Sequence, residues 1–256
     1  MARVFITGSS DGLGLMAARI LIQQGHKVLL HGRNPGRAKA ALAAAPGAEH
    51  AVIGDLSDVE ETKRVAGQVN GLGRFNAVIH NAGIGYREPR RIDTQSGASQ
   101  VFAINVLAPY ILTALIKRPD RLVYLSSALH RGVSPRVNDM LWTKRQWEAA
   151  SAYAESKFYD VALAFAIARL WPEVLSNALE PGWVPTKMGG PGAPDDMSKA
   201  PVTQVWLAVG KDELAQSTGA YFYHQKLREP NATARDAKVR DALLETCGRL
   251  SGVHLS

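Results

Sequence analysis

Short runs of β-branched and aliphatic residues alternate along this chain with longer stretches of helical periodicity. The short runs, which predict buried strands, lie at residues 4–7, 28–31, 51–54, 77–80, 122–126 and 175–179. The longer stretches, which predict helices, lie at residues 13–24, 36–44, 58–70, 98–116 and 152–171. Such alternation is typical of a parallel sheet, because parallel strands need crossover connections. The sequence therefore predicts an α/β fold with a single doubly wound parallel sheet and helices on both faces.

Two segments interrupt this rhythm, at residues 128–151 and 183–201. Each follows the carboxyl end of a predicted strand, which is the edge where open α/β sheets bind ligands. We find no repeat and no low-complexity linker in the 256 residues. We therefore expect one domain over residues 1–256, with these two segments on its substrate side.

Composition and charge exclude several classes of protein. The net charge of +7 is not concentrated in a run, so a nucleic-acid interface is not indicated. The longest apolar stretch, residues 161–171, is too short for a membrane span. Cys247 is the only cysteine, and the histidines lack ligand spacing, so neither a disulfide nor a metal site is expected. No secretory leader is apparent, so we expect a cytoplasmic protein.

The first predicted β-α turn is rich in glycine. It reads Thr7-Gly8-Ser9-Ser10-Asp11-Gly12-Leu13-Gly14. Glycines in such a turn let the backbone approach a pyrophosphate, and the following helix N-terminus favours the negative charge. A glycine pattern is a weak signal alone, but this one lies between the first strand and the first helix. We therefore predict a dinucleotide site at Gly8, Ser10, Asp11, Gly12, Leu13 and Gly14.

The end of the second strand indicates which dinucleotide binds. Sites selective for NAD usually carry an acid there that binds the ribose 2′-hydroxyl. This chain has Arg33 and Asn34 instead, and an arginine can pair with a 2′-phosphate. The alternative is a solvated loop arginine. We expect the cofactor to be NADP(H), bound in part by Arg33 and Asn34.

Tyr153 and Lys157 lie four positions apart in a predicted helix. Residues at this spacing share one helix face, so the ammonium can lie near the phenol. A nearby cation favours the phenolate, so we expect Lys157 to lower the pKa of Tyr153. A tyrosine of this kind can donate and accept a proton near neutral pH. The spacing also occurs on many helices by chance.

Asn105 precedes Pro109 by four positions in another predicted helix. Proline has no N–H, so the Asn105 carbonyl loses its usual donor. A freed carbonyl could hold a water that connects Lys157 with solvent. The alternative is a helix kink without a function.

These motifs, with others in the same order, resemble those of the short-chain dehydrogenase/reductase family. The glycine spacing resembles the compact branch of that family, and the resemblance covers nearly the whole chain. The further motifs are Asp55-Leu56, Asn81-Ala82-Gly83, Asn105, Ser126-Ser127, Tyr153 with Lys157, and Pro181-Gly182 with Thr186.

The resemblance implies a role for each motif. Ser127 would hydrogen-bond the substrate oxygen, Tyr153 would protonate it, Lys157 would tune Tyr153 and hold the nicotinamide ribose, and Asn105 would serve the proton relay. The implied catalytic residues are thus Asn105, Ser127, Tyr153 and Lys157. The remaining implied cofactor contacts are Asp55 and Leu56 to the adenine, Asn81, Ala82 and Gly83 beside the cofactor, and Pro181, Gly182, Val184 and Thr186 near the carboxamide.

The chain departs from the common family pattern in two places. Tyr153 follows Ser127 by 26 positions, about twice the usual interval. The longer interval resembles the retinol dehydrogenase-like and protochlorophyllide reductase-like members, and some bacterial ketoreductases of aromatic polyketides. Asp11 stands where NADP-dependent members often carry a basic residue, which counts against NADP.

The two irregular segments contain large apolar side chains. Pockets for small molecules are mainly apolar with a few polar anchors, so we expect a bulky apolar or aromatic substrate. Packing within the loops is the alternative for each residue. The predicted pocket residues are Ser127, Leu129, His130, Trp142, Trp147, Trp183 and Met188.

The function implied is hydride transfer between the nicotinamide of NADP(H) and a ketone, an aldehyde or a secondary alcohol. Two alternatives remain: a catalytically silent NADP(H)-binding regulator, and a reductase of an activated C=C bond. The helix after Lys157 is apolar on most sides, and the family often forms dimers through it. The resemblance therefore leaves two alternatives open, a homodimer through this helix and a monomer, since members with the longer interval can be monomers.

Overall fold

The structure, a computed structural model, describes residues 1–255 and contains one sheet of eight strands. Their spatial order is β3-β2-β1-β4-β5-β6-β7-β8. The strands are β1 (Arg3–Ile6), β2 (Lys27–Gly32), β3 (His50–Ile53), β4 (Ala77–His80), β5 (Arg121–Leu125), β6 (Leu175–Glu180), β7 (Tyr221–Tyr223) and β8 (Lys226–Leu227). All pairs are parallel except β7 with β8. The strand order reverses between β1 and β4, where doubly wound sheets bind ligands.

Helices cover both faces of the sheet, as the sequence predicts. Side chains alternate along each strand, so Val4 and Ile6 of β1 face one core while Phe5 faces the other. One core is closed by the first, second and seventh helices, and the other by the third, fifth, sixth and eighth. The helices are α1 (Gly12–Gln23), α2 (Pro35–Ala44), α3 (Val59–Gly71), α4 (Gln100–Phe102), α5 (Ala108–Leu115), α6 (Ala149–Leu170), α7 (Val202–Val209) and α8 (Ala237–Ser251).

The predicted helix at residues 98–116 is not continuous. Between α4 and α5, residues Ala103–Leu107 wind as a π-helix, with a hydrogen bond over five residues from the Ala108 N–H to the Ala103 carbonyl. Pro109 lies in the first turn of α5, where it has no N–H to offer the preceding turn. The wider winding therefore coincides with the proline, and Asn105 lies inside it.

The sequence reasoning missed the last four elements of the fold. The strands β7 and β8 have three and two residues, too few for a periodic signal. The helix α8 did carry a signal, because Val239, Leu243 and Cys247 recur every four residues and are buried. Asp236 marks its start, accepting a hydrogen bond from the Lys238 N–H at 2.8 Å.

The apolar sides of α6, the longest helix, are covered within one chain. Only its first turn and its last residues reach the surface, and the segment between them packs on β5, β6 and α8. The same chain therefore buries the apolar sides that suggested a homodimer, and the homodimer stays a prediction. No helix among residues 1–255 is long and apolar enough to cross a membrane.

We predict that the end of β2 does not tolerate a side chain. A Cβ on Gly32 would lie 2.5 Å from the backbone nitrogen of Ala38, so α2 would have to move. Gly32→Ala should lower the free energy of unfolding by about 1–3 kcal/mol, measured by urea denaturation. The matched control is Gly67→Ala on the exposed side of α3, where a Cβ meets no atom within 4 Å. That variant should gain about 0.5–1 kcal/mol, and equal losses in both would contradict the prediction.

Candidate active site

A cleft of about 1130 Å³ opens beyond the carboxyl ends of the central strands. Its wall is built from residues after β5, from the second turn of α6, and from the segment after β6. This arrangement follows from the parallel sheet, which places successive strand ends at one edge. The predicted site residues that line the cleft are Leu13, Ser127, Leu129, Tyr153, Pro181, Gly182, Trp183, Val184, Thr186 and Met188.

Lys157 is buried below Tyr153 and is held in place by two acceptors. Its Nζ donates to the Leu125 carbonyl at 2.7 Å and to the Asp160 carboxylate at 2.8 Å. The same nitrogen lies 6.0 Å from the centre of the Tyr153 ring. The ammonium therefore acts on the phenol from a fixed position.

The pKa of Tyr153 differs from the expectation of a lowered value. Burial of the phenol raises this pKa, while the Lys157 charge and the Ser127 side chain lower it. The net change is upward because little water reaches the hydroxyl to stabilise a phenolate. The four-residue spacing correctly predicted a lowering influence from Lys157. It could not reveal the opposing effect of burial.

The two serines at the end of β5 have different surroundings. Ser126 is buried, and its Oγ donates to the Lys157 carbonyl at 2.6 Å, which ties β5 to α6. Ser127 lies at the cleft, and its side chain lowers the pKa of Tyr153. Of the pair, Ser127 is therefore the one placed beside the Tyr153 hydroxyl.

Asn105 connects the loop after β4 with α6. Its Oδ1 accepts from the Ile84 N–H at 2.9 Å, and its Nδ2 donates to the Ile84 carbonyl at 3.0 Å. The same Nδ2 donates to Ser156 Oγ at 2.9 Å, which in turn donates to the Tyr153 carbonyl at 2.7 Å. The side chain thus has a positioning role that the sequence did not reveal. A water on its backbone carbonyl stays a prediction.

The glycine-rich turn has the shape that a pyrophosphate site needs. A Cβ on Gly8 would lie 2.8 Å from Ala82 Cα, and one on Gly14 would lie 2.4 Å from Asn81 Nδ2. Gly12 has φ +54°, and a Cβ there would meet nothing within 4 Å. The backbone is therefore packed on one side and open on the other, so the turn fits a dinucleotide phosphate.

His31 stabilises this turn, and the sequence reasoning missed it. The Gly8 N–H donates to its Nδ1 at 3.0 Å, so the opposite nitrogen, Nε2, is the one that donates to the Gly54 carbonyl at 2.9 Å. Burial lowers the pKa of His31, which keeps the ring neutral and supports this tautomer. A histidine inside an apolar strand gave no sequence signal for this role.

Asp11, in the first β-α turn, forms ion pairs with two basic side chains. Its carboxylate accepts from Arg37 at 2.6 Å and from Lys187 at 2.8 Å. Burial raises the pKa of Asp11, but the hydrogen bonds from Lys187 and Arg37 outweigh it and lower the value. Arg33 is exposed at the end of β2, while Asn34 caps α2 through the Arg37 N–H at 2.9 Å. Arg37, which was not predicted, thus lies beside both predicted cofactor motifs.

Other predicted cofactor residues lie around the strand ends. Asp55 turns the chain after β3, accepting from the Ser57 N–H at 2.9 Å. Leu56 is buried in the core, so a side-chain contact with adenine does not fit its position. A Cβ on Gly83 would lie 3.4 Å from Lys157 Nζ, so the loop after β4 passes close to the ammonium. Ser10 is partly exposed in the first turn.

Trp142 and Trp147 do not line the cleft, contrary to the expectation. Trp142 is buried against the Arg145 guanidinium, which lies 3.6 Å from the ring centre, and Trp147 meets it edge-on. Trp147 also donates to the Glu88 carbonyl at 3.0 Å. Arg145 pairs with Glu155 of α6 at 2.5 Å, so the inserted segment has a core of its own. Packing within the loop is the correct interpretation for both tryptophans.

His130 also lies outside the cleft wall. Its Nε2 accepts from the Asn231 N–H at 3.2 Å, so Nδ1 donates to the Ser127 carbonyl at 2.6 Å. Burial lowers its pKa to about 4. The neutral ring packs on Tyr221 and supports the turn that carries Ser127.

Several cleft residues had no sequence signal. Tyr86 meets the Tyr153 ring edge-on at 5.5 Å between centroids. Arg131 forms an ion pair with Glu180, and both line the cleft. They come from loops and strand ends, where no periodicity marks a side chain as facing a ligand.

Within residues 1–255, no cluster of acidic, histidine or cysteine side chains could hold a metal ion.

Comparison with known proteins identifies the family. The family model described as short chain dehydrogenase matches residues 2–196. The short-chain dehydrogenase chry4 of Gibberella zeae is 41% identical over 259 residues, which cover 100% of this chain and 99% of that protein. The chain therefore belongs to the short-chain dehydrogenase/reductase family, and it is an NAD(P)-dependent oxidoreductase.

Two further comparisons concern the family and the fold, respectively. Human retinol dehydrogenase 13 is 27% identical over 286 residues, which cover 98% of this chain and 84% of that protein. A crystal structure of a protein from Mycobacterium paratuberculosis superposes with a TM-score of 0.86 at 22% identity, covering 100% of this chain and 95% of that one. The second likeness confirms the Rossmann fold of the chain, and the first agrees with the resemblance to retinol dehydrogenase-like members.

We predict that the Asn105 side chain stabilises the site. Asn105→Ala would leave the Ile84 N–H and carbonyl and the Ser156 hydroxyl without this partner. The free energy of unfolding should fall by about 1–3 kcal/mol, measured by urea denaturation. Ser156→Ala should cost less, and the double variant should cost less than the sum of the two. Strict additivity would show that the two side chains are not coupled.

Proposed function

We propose that this protein is an NADP(H)-dependent carbonyl reductase or alcohol dehydrogenase that acts on a bulky apolar or aromatic substrate. The observation that carries the proposal is the grouping of Ser127, Tyr153 and Lys157. Both hydroxyls belong to residues that line the cleft, the Ser127 side chain lowers the pKa of Tyr153, and the buried ammonium lies beneath the phenol. A carbonyl oxygen placed between the hydroxyls could receive both a hydrogen bond and a proton.

Each catalytic side chain then has a distinct task. A nicotinamide cofactor supplies the hydride when it is bound. Ser127 donates a hydrogen bond to the substrate oxygen, and Tyr153 donates the proton that the oxygen gains on reduction. Lys157 stabilises the phenolate that remains, while Asn105 fixes the turn of α6 that carries Tyr153. The predicted water on the Asn105 carbonyl would return a proton from solvent.

The basic end of β2 supports a preference for NADP over NAD. No acid is present there to bind a ribose 2′-hydroxyl, and Arg33 is exposed to solvent. Arg37 adds a second guanidinium at the start of α2, engaged only by the partly exposed Asp11. A 2′-phosphate could pair with these guanidinium groups.

The composition of the cleft supports a large substrate. Leu129 and Trp183 are exposed at the cleft, and Tyr86 and Met188 add further apolar surface. The volume of about 1130 Å³ exceeds that of most small-molecule sites, although part of it would hold the nicotinamide. A polyketide, steroid or retinoid-like carbonyl compound fits these dimensions.

Two alternatives make different demands on the site. A silent NADP(H)-binding regulator would not require the proton donors, yet this chain keeps the full set. Reduction of an activated C=C bond would use the same hydride donor, and product analysis with an enone would distinguish it.

The buried thiol of Cys247 has no disulfide partner, which fits a reducing compartment such as the cytoplasm.

The Tyr153 hydroxyl is the group whose loss tests the mechanism. Tyr153→Phe removes the proton donor and keeps the ring, so turnover of a ketone panel should fall at least ~100-fold. NADPH binding, measured by fluorescence titration, should stay close to the wild-type value. Tyr110→Phe is the matched control, because Tyr110 donates to the Val253 carbonyl, away from the cleft. Retained turnover in Tyr153→Phe would refute the assignment.

The two arginines at the end of β2 test the cofactor preference. A charge-assisted hydrogen bond contributes about 1.5–3 kcal/mol, so Arg33→Ala with Arg37→Ala should raise the Kd for NADPH at least ~10-fold. The Kd for NADH should change little, because NADH carries no 2′-phosphate. Lys238→Ala with Arg249→Ala, which also removes two positive charges but from exposed positions of α8, should leave both values unaltered. Equal weakening of both cofactors would show that the arginines do not read the phosphate.

A further inference from the structure

Asp160 lies one helical turn after Lys157 and is buried with it. The carboxylate accepts from Lys157 Nζ at 2.8 Å, and the two side chains are 3% and 6% exposed respectively. No family motif in this sequence includes position 160, and the mechanism above does not use it. A buried ion pair therefore stands directly behind the proposed proton donor.

The burial explains why the ammonium needs such a partner. Moving an isolated charge out of water is costly, so buried charges are paired or neutralised. Lys157 has one other acceptor, the Leu125 carbonyl at 2.7 Å. Burial alone lowers the pKa of Lys157, but the Asp160 charge, the Tyr153 phenol and the hydrogen bond to Asp160 together outweigh it and raise the value. The carboxylate and the carbonyl together therefore hold the ammonium in place.

The same carboxylate weakens the effect of Lys157 on Tyr153. Lys157 lowers the pKa of Tyr153, whereas the negative charge of Asp160 raises it. Burial raises the pKa of Asp160 itself to about 7, against the lowering influence of Lys157. The two charges therefore act on the phenol in opposite directions.

The other titratable groups around Asp160 do not replace it. Within the described chain, the groups that face its carboxylate are Lys157 and Tyr153 of α6 and Tyr124 of β5. Tyr124 hydrogen-bonds Thr113 at 2.8 Å, and burial raises its pKa. His80 of β4 stacks on Tyr124, and burial lowers its pKa to about 3, so it is neutral. Asp160 is thus the counterion of Lys157.

We propose that Asp160 is a positioning residue that anchors the Lys157 ammonium and limits how strongly it stabilises the Tyr153 phenolate. The proposal rests on the proposed function and adds a determinant of its pH range. Reduction needs the protonated phenol, so its rate falls as pH rises through the pKa of Tyr153. Removing the negative charge favours the phenolate, so the fall occurs at lower pH.

Asp160→Asn tests this at nearly constant size. The midpoint of the alkaline fall in kcat/KM for ketone reduction should move about one pH unit downward. The matched control is Glu155→Gln, because Glu155 is also buried on α6 but pairs with Arg145 instead. Its midpoint should equal that of the wild type. Asp160→Glu, which restores the charge, should return the midpoint toward the wild-type pH.

Each result decides the proposal. An unmoved midpoint in Asp160→Asn, or an upward shift, would overturn it. Asp160→Ser provides a second uncharged variant, and failure of both to fold would also overturn it, because Asp160 would then act in folding rather than in tuning. If Tyr153→Phe retains turnover, the proposed function itself fails. If Tyr153→Phe is inactive and Asp160→Asn keeps the wild-type profile, only this inference fails.

Discussion

The buried ammonium of Lys157 is the charge on which the geometry of the cleft depends. A cation at this depth requires acceptors at fixed positions, and they come from two elements, the Leu125 carbonyl of β5 and the Asp160 carboxylate of α6. Ser126 joins the same two elements by donating to the Lys157 carbonyl at 2.6 Å. The strand that presents Ser127 and the helix that presents Tyr153 are therefore fixed relative to each other. Two residues 26 positions apart in sequence line one cleft because their elements share this buried charge.

A second set of contacts fixes the loop after β4 against the same helix. Asn105 lies in a π-helical segment, and its amide bridges Ile84 and Ser156. The close approach also depends on Gly83, where a Cβ would lie 3.4 Å from both Asn105 Oδ1 and Lys157 Nζ. The π-helical winding and the absence of a side chain at Gly83 have the same effect. They allow the loop after β4 to approach Asn105 and the Lys157 ammonium closely.

Local patterns predicted the elements that have long periodic sequences. The six predicted strands and the glycine-rich turn are present, and the motifs after β4, β5 and β6 converge because parallel strands end at one edge. The strands β7 and β8 were too short to predict. Trp142, Trp147 and His130 were misplaced because composition shows that a side chain is large or polar, but not which way it faces. The pKa of Tyr153 depends on burial by distant residues, which spacing within one helix does not encode.

Two lysines near the cleft form ion pairs with carboxylates, and the two pairs differ in how deeply they are buried. Lys187, in the segment after β6, pairs with Asp11 of the glycine-rich turn, but its side chain is 85% exposed. Such a pair contributes at most about 1 kcal/mol, because water and salt screen it. The pair of Lys157 and Asp160 is almost fully buried, so losing one partner would cost about 3–5 kcal/mol. The wall of the cleft that carries Tyr153 is therefore held rigidly, whereas the segment that faces the glycine-rich turn is tied by a contact that is easily broken. Under the proposed function, the substrate and the dinucleotide would enter between these two sides, where the weaker contact lies.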